Sequence, residues 1–189
     1  MIRRNVAALL AASALSIPAY AADTGWYLVG DVGQTKIKDA FSDAPAGTSI
    51  DDTDTGFKLG GGYMFHKNVG VEAAYVDLGK ATATLGAQSA EGKASGEVVS
   101  AVLNLPIGDR FAVLGRLGFI NATVKVSGGG TSESSTDMKM AWGIGGAFFI
   151  TQQLGIRLNY DSYNKLGDKD KTGESTVDMI SLGVMYKFY

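Results

Sequence analysis

Few residues in this 189-residue sequence are able to carry reaction chemistry. His66 is the only histidine and there is no cysteine, so thiol catalysis and thiolate metal sites are excluded. Hydrolysis by a serine, histidine and carboxylate would need the histidine beside both partners. His66 falls in a short predicted turn, where a lone histidine is usually only solvated. We therefore expect no catalytic residues, no cofactor and no enzymatic activity.

The polar segment 38–54 is a second place where chemistry could reside, because it is rich in aspartate. Carboxylates bind calcium, and they could bridge to lipopolysaccharide through a divalent cation. Their spacing matches no calcium-loop pattern. A solvated acidic loop is therefore the favoured interpretation, and no metal site is predicted. The aspartates concerned are Asp39, Asp43, Asp51, Asp52 and Asp54.

The N-terminus has the features of a cleaved export signal. Arg3 and Arg4 precede an apolar run over 6–17, and Ala19-Tyr20-Ala21 forms a small-x-small cleavage site. The apolar run would rise only about 18 Å as a helix, which is too short to span a hydrocarbon core of roughly 30 Å. We predict a signal peptide over 1–21 and a single domain over 22–189.

The charge of the chain argues against a nucleic-acid partner. The formal net charge is −2 for the whole chain. Without Arg3 and Arg4 it becomes −4, from 15 basic and 19 acidic residues. The sequence contains no basic patch that would suit a phosphate backbone.

The remaining chain shows a hydrophobic period of two that recurs about eight times. Long polar segments follow the first, third, fifth and seventh runs, whereas turns of about four to six residues follow the second, fourth and sixth. This alternation is typical of outer-membrane barrels, which have short periplasmic turns and long external loops. The first seven predicted strands begin near Gly25, Thr55, Val71, Ser95, Arg110, Met138 and Ile156, and the eighth follows Glu174 and runs to the C-terminus.

The two faces of these strands differ in size and charge. One face carries nearly all the large apolar side chains, whereas the other combines glycine and alanine with charged residues. An eight-stranded barrel has an interior only just wide enough for side chains, so the bulky face must point outward to lipid. Aromatic residues near the strand ends fit interfacial girdles. The polar inward residues are Asp31, Lys58, Glu72, Asn104, Arg116, Lys139, Arg157, Asn159 and Asp161.

The last predicted strand carries a distinctive C-terminal pattern. Its apolar residues alternate without interruption and end on an aromatic residue one position before the terminus. The pattern resembles the C-terminal signature by which assembly machinery recognises outer-membrane proteins, although Tyr189 extends it by one residue. The residues of this pattern are Ile180, Leu182, Val184, Tyr186 and Phe188.

Taken in order, these segments resemble the transmembrane domain of the OmpA family and related small porin-like barrels. The resembling stretches are 56–63, 69–79, 105–107, 116–118 and 157–160. The resemblance implies an all-β, eight-stranded antiparallel up-and-down transmembrane barrel in the bacterial outer membrane. The partners it implies are outer-membrane lipid, lipopolysaccharide and the assembly machinery, while any ligand of the external loops is unknown.

The resemblance also implies an interior charge network. In the OmpA barrel an inward glutamate pairs with an inward arginine, and the matching positions here are Glu72 and Arg157. The family's further lysine and glutamate match Val102 and Ala147, so a salt-bridge gate of the family type is in doubt. Arg116 and Lys58 are then the additional candidates to pair with Glu72.

Four functions are compatible with such a barrel. A structural or surface-interaction role in the envelope is favoured, and a narrow channel for ions or small solutes is the alternative. A lipid-modifying enzyme is disfavoured because His66 is the only histidine. A soluble carrier of apolar ligands would require the opposite assignment of the two faces.

Overall fold

The computed structural model describes residues 24–38, 49–85, 88–128, 131–167 and 175–188. It forms a closed, all-antiparallel barrel of eight strands, as the sequence predicts. An additional strand of three residues extends one of them. The predicted signal peptide lies outside the described residues. The strands are β1 (Gly25–Lys38), β2 (Ser49–Asp51), β3 (Thr53–His66), β4 (Val69–Leu85), β5 (Gln88–Ile107), β6 (Phe111–Gly128), β7 (Thr131–Phe149), β8 (Leu154–Leu166) and β9 (Ser175–Lys187).

The barrel closes because the first and last strands pair with each other. β1 pairs with β3 on one side and with β9 on the other, and the remaining strands pair in chain order round to β4. The short β2 is separated from β3 only by Asp52 and pairs with the far end of β4. Closure satisfies the backbone hydrogen bonds that an open edge would leave exposed to lipid. In the described ranges, no helix is long and apolar enough to cross a membrane.

The orientation of the side chains confirms the predicted assignment of the two faces. Leu117 and Val184 keep 61% and 54% of their surface exposed, although both are apolar. Phe57 and Trp142 also point outward, whereas Glu72 and Arg157 are buried in the lumen. Such an outward apolar surface is stable in a lipid environment and would be a liability in water.

Aromatic side chains on the outer surface meet in pairs near both ends of the barrel. Trp26 packs on Tyr63 with ring centroids 5.1 Å apart, next to the short turns. Trp142 packs on Tyr160 at 5.7 Å towards the opposite end. This arrangement fits two interfacial girdles, where amphipathic rings meet the headgroups.

The lumen is bulkier than the sequence suggests. We expected glycine, alanine and a few charges to fill it, but two apolar clusters occupy it above and below the charged residues. The cluster near the turns contains Tyr27, Val29, Leu114, Ala147 and Met185. The other cluster also contains large side chains. The sequence pattern does not reveal them, because each strand contributes only one or two large apolar residues to the cluster. Its largest members are Tyr163, Leu78, Ile120, Leu166 and Met179.

Two of the predicted external loops are in fact continuations of strands. β4 and β5 remain paired out to Leu85 and Gln88, and β6 and β7 remain paired out to Gly128 and Thr131. Threonine residues in these segments favour strand structure, and Ala81, Ala83, Ala94 and Ala122 remain buried on the inward face. Gly79, with φ +74°, lies where the register of β4 shifts between Asp77 and Lys80. The result is a tall wall of four strands on one side of the barrel.

A charge on the outer surface should destabilise the barrel according to its depth. Leu103 lies midway along the outward apolar residues of β5, so Leu103→Arg should lower the free energy of unfolding by about 2–4 kcal/mol. Ser127→Arg, on the extended part of β6, should change it by less than about 0.5 kcal/mol. Urea unfolding in phospholipid vesicles measures both, and equal losses would contradict this membrane position.

Candidate functional site in the barrel lumen

A belt of buried charges crosses the middle of the lumen. Three cations and three anions form it, so its formal charges balance. Five strands contribute: β1, β3, β4, β6 and β8. A charge in so narrow an interior is tolerated only when it is paired and hydrogen-bonded. The belt residues are Asp31, Lys58, Glu72, Arg116, Arg157 and Asp161, and all are buried.

Arg157 is the centre of the first half of the belt. Its side chain has no exposed surface. Its Nε and Nη2 donate to the two carboxylate oxygens of Asp31 at 2.7 Å and 2.5 Å, and its Nη1 donates to Glu72 Oε2 at 3.0 Å. Asn159 Nδ2 donates a further bond to Asp31 at 3.1 Å. The bidentate geometry fixes the guanidinium plane and is the strong form of such a pair.

Asp161 is the centre of the second half. Lys58 Nζ donates to Asp161 Oδ2 at 2.7 Å, and Arg116 donates to Asp161 Oδ1 from Nη2 at 2.8 Å and from Nε at 3.1 Å. Lys58 Nζ also lies 3.8 Å from Asp31 Oδ2. Lys58 therefore joins the two halves into one network.

Both arginine–aspartate pairs reach across an intervening strand that carries a glycine at the crossing point. Gly183 on β9 is the cross-strand partner of both Asp31 and Arg157. Gly143 on β7 is likewise the partner of both Arg116 and Asp161. A Cβ atom at Gly183 would collide with Asp31 Oδ1, and one at Gly143 would collide with Asp161 Oδ1. Each ion pair therefore passes over a glycine of the intervening strand, where there is no side chain in its way.

The structure brings all four predicted network residues together but changes their partners. Glu72 pairs with Arg157 as the resemblance implied. Arg116 and Lys58, which were candidates for Glu72, instead pair with Asp161. Asp31 and Asp161 are inward residues in the sequence pattern, but the pattern does not identify them as members of the network. Register was the missing information, because it puts each aspartate in the same cross-strand row as an arginine.

Two of the predicted inward polar residues, Asn104 and Lys139, lie outside the belt. Asn104 is near the turns, where its Nδ2 donates to Lys67 O at 2.7 Å. Lys139 is half-buried further up β7. Val102 and Ala147, which match the further lysine and glutamate of the OmpA barrel, are buried and carry no charge.

The remaining sequence predictions concern the barrel ends. Ile180, Leu182, Val184, Tyr186 and Phe188 all lie on the outer face of β9 or just beyond it. His66 ends β3 at the rim. Among the described residues no group of three or more histidine, cysteine or acidic side chains could hold a metal. Asp39 and Asp43 lie outside the described residues, so the acidic loop is only partly seen.

Among the described residues, a recess lies near the short turns and a much smaller space lies in the belt. The recess has a volume of about 260 Å³ and is lined by residues including Tyr27, Met64 and Phe149. The space in the belt is about 10 Å³, enough for one water molecule, beside Arg116 and Tyr163. The belt itself therefore offers no room for a substrate, and its chemistry is ion pairing.

Comparison with known proteins agrees with this architecture. The family model for the outer membrane protein beta-barrel domain matches residues 7–188. Outer membrane protein A of Escherichia fergusonii is 29% identical over 191 residues, covering 97% of this chain and 54% of that protein. Outer membrane protein A of Shigella dysenteriae is 30% identical over 174 residues, covering 88% and 49%. The chain thus spans about half the length of these relatives.

Solved structures show the same fold. Ail, the attachment invasion locus protein of Yersinia pestis, aligns with a TM-score of 0.56 at 21% identity, covering 87% of this chain and 99% of Ail. Neisserial surface protein A aligns with a TM-score of 0.61 at 15% identity, covering 87% and 97%. At these identities the likeness concerns the fold alone.

Removal of Arg157 should leave two buried carboxylates without their main partner. We expect Arg157→Ala to destabilise the barrel by about 3–5 kcal/mol and to lower its unfolding temperature in detergent. Arg110→Ala, which removes an exposed arginine beside a turn, is the matched control and should leave the temperature nearly unchanged. An unaltered melting point for Arg157→Ala would remove Arg157 from the network.

The glycine crossings make a separate prediction. Gly183→Ala should cost about 1–3 kcal/mol through overpacking, because the added methyl group displaces Asp31 from Arg157. Gly146→Ala is the control, since a Cβ there lies 3.9 Å from its nearest neighbour, Ala112 O. Urea unfolding of the two variants should separate them clearly. Equal stability would mean that the ion pair does not depend on the bare crossing.

Proposed function

Because this chain belongs to the outer membrane protein β-barrel family, we propose that it is a structural and surface-interaction barrel of the bacterial envelope. The chain is an outer membrane protein. Two features support the finer role: a lumen occupied by the charged belt with an apolar cluster on each side of it, and a tall wall of strands at one end. No open pore is part of this proposal.

The filled lumen is the observation that carries the proposal. An ion entering from the short turns meets Tyr27 and Met185, then the belt, and then Tyr163 and Met179. Apart from the hydroxyl groups of Tyr27 and Tyr163, the described side chains of the two apolar clusters have no groups to replace an ion's hydration shell, and the belt charges are already paired with one another. Desolvation of an ion without compensating partners is strongly unfavourable. The barrel would therefore keep the compartments on the two sides of the membrane separate and would not connect them.

The outer surface provides the interactions. Its apolar band would contact lipid acyl chains, and the extended strands β4–β7 would stand above the outer leaflet among lipopolysaccharide molecules. We also infer that Ile180, Leu182, Val184, Tyr186 and Phe188 present the recognition pattern for the assembly machinery. Their alternation on the outer face of β9 supports this role, because that face stays accessible until insertion.

A narrow channel is the second candidate. The recess of about 260 Å³ near the turns supports it, since water and ions could enter the lumen from that side. Conduction would then require the belt pairs to exchange partners and the second apolar cluster to move aside. Catalysis is not proposed, because the relatives are outer membrane barrel proteins rather than enzymes.

Planar-bilayer recording separates the two candidates. The proposal predicts no steady openings from the purified barrel in symmetric salt, because both apolar layers and the belt resist ion entry. Heat-modifiable gel mobility of the same preparation verifies that the barrel is folded, and protection from added protease verifies that it is inserted. Steady, reproducible openings from such a preparation would replace the structural role with the channel.

A further inference from the structure

Three lysines form a continuous row on the outward face of the strand wall. Lys80 on β4 is the direct cross-strand partner of Lys93 on β5, and Lys93 is the direct partner of Lys125 on β6. Side chains paired in this way have Cβ atoms about 4.5–5.5 Å apart. All three residues are exposed, so three ammonium groups are presented side by side to the outside of the barrel.

Like charges directly opposite each other destabilise a sheet, and only part of this repulsion is relieved within the chain. Lys93 Nζ lies 3.1 Å from Asp77 Oδ2, and Lys80 Nζ lies 3.0 Å from Glu91 Oε2. Asp77 raises the pKa of Lys93 above its ordinary value through the hydrogen bond between them, so Lys93 remains charged at neutral pH. Among the described residues no ion pair is seen for Lys125.

These two ion pairs leave the lysines available to a ligand. The side chains of Lys80 and Lys93 both keep 53% of their surface exposed. Exposed pairs of this kind contribute only about 0–1 kcal/mol, and they exchange readily with other anions. The next acidic residue on this face of β5 towards the lipid is Glu97, four positions below Lys93.

The height of the row indicates which part of the membrane it meets. Lys125 lies six residues beyond Phe119, the last large apolar residue on the outer face of β6. Six residues span about 20 Å of strand, or roughly 15 Å of height at a tilt of about 40°. Phospholipid headgroups add only about 5–8 Å to each side of the hydrocarbon core. The row therefore stands above the headgroup layer.

We propose that Lys80, Lys93 and Lys125 bind the phosphate groups on the inner-core sugars of lipopolysaccharide. The inference rests on the proposed surface-interaction role, with the tall end of the barrel outside the cell. At that height the outer leaflet presents anionic sugars rather than acyl chains. A row of three exposed lysines, with Cβ atoms about 4.5–5.5 Å apart, offers adjacent positive charges to phosphates borne on neighbouring sugars through electrostatic complementarity.

The test compares unfolding temperatures in phosphatidylcholine vesicles that contain different lipopolysaccharides. Full-core lipopolysaccharide with phosphorylated sugars should raise the unfolding temperature of the wild-type barrel by several degrees. The same material with its core phosphates removed, or truncated to lipid A, should raise it by less than half as much. Lys93→Gln/Lys125→Gln should lose at least half of the rise seen with the full core.

Lys67→Gln is the matched control, because Lys67 is an exposed lysine in a short turn at the opposite end. It should keep the full rise. The comparison uses the rise for each variant, so a changed baseline stability does not obscure the result. An equal rise with lipid A alone would overturn the assignment to core sugars, as would an equal rise with inorganic phosphate. A full rise for Lys93→Gln/Lys125→Gln would overturn the lysine row.

This readout is independent of conductance. An open pore in planar bilayers would overturn the proposed structural role and would not alter the vesicle result. Conversely, loss of the lysine effect would leave the sealed lumen as it stands.

Discussion

The bidentate ion pair between Arg157 and Asp31 joins the two ends of the chain. It connects β8 to β1 across the intervening β9. The pairing of β1 with β9 is the one that closes the barrel. The pair forms only in one register, because Gly183 must lie between the two charges. A slip of one residue would place every inward charge of a strand on the lipid face. Charge pairing and barrel closure therefore require the same alignment of strands.

The same device recurs a quarter of the way round the barrel. Arg116 reaches Asp161 over Gly143 in the manner in which Arg157 reaches Asp31 over Gly183. Glycine is required at these positions because a Cβ atom would collide with the aspartate of the pair. The glycines and the charges are thus one structural feature. Its product is a neutral belt, which a narrow low-dielectric lumen can hold.

The two ends of the barrel differ in structure. The end with short turns contains a recess, while the larger apolar cluster lies towards the opposite end, below the paired extensions of β4 to β7. In the proposed orientation, the tall end faces the outside of the cell. Its outer surface combines lysines and carboxylates rather than apolar side chains, which suits an environment of hydrated, charged sugars.

The sequence by itself determined the fold class, the eight strands of the barrel and the face that meets lipid, because a period of two assigns each residue to one side of a strand. It also placed Glu72, Arg157, Arg116 and Lys58 inside. Only the tertiary structure decided that Asp161, not Glu72, holds Lys58 and Arg116, because pairing between distant strands depends on register and curvature. Residues such as Ile120 and Met179 likewise escaped the pattern, since each strand supplies only one or two large inward apolar side chains and these form a cluster only when the sheet closes.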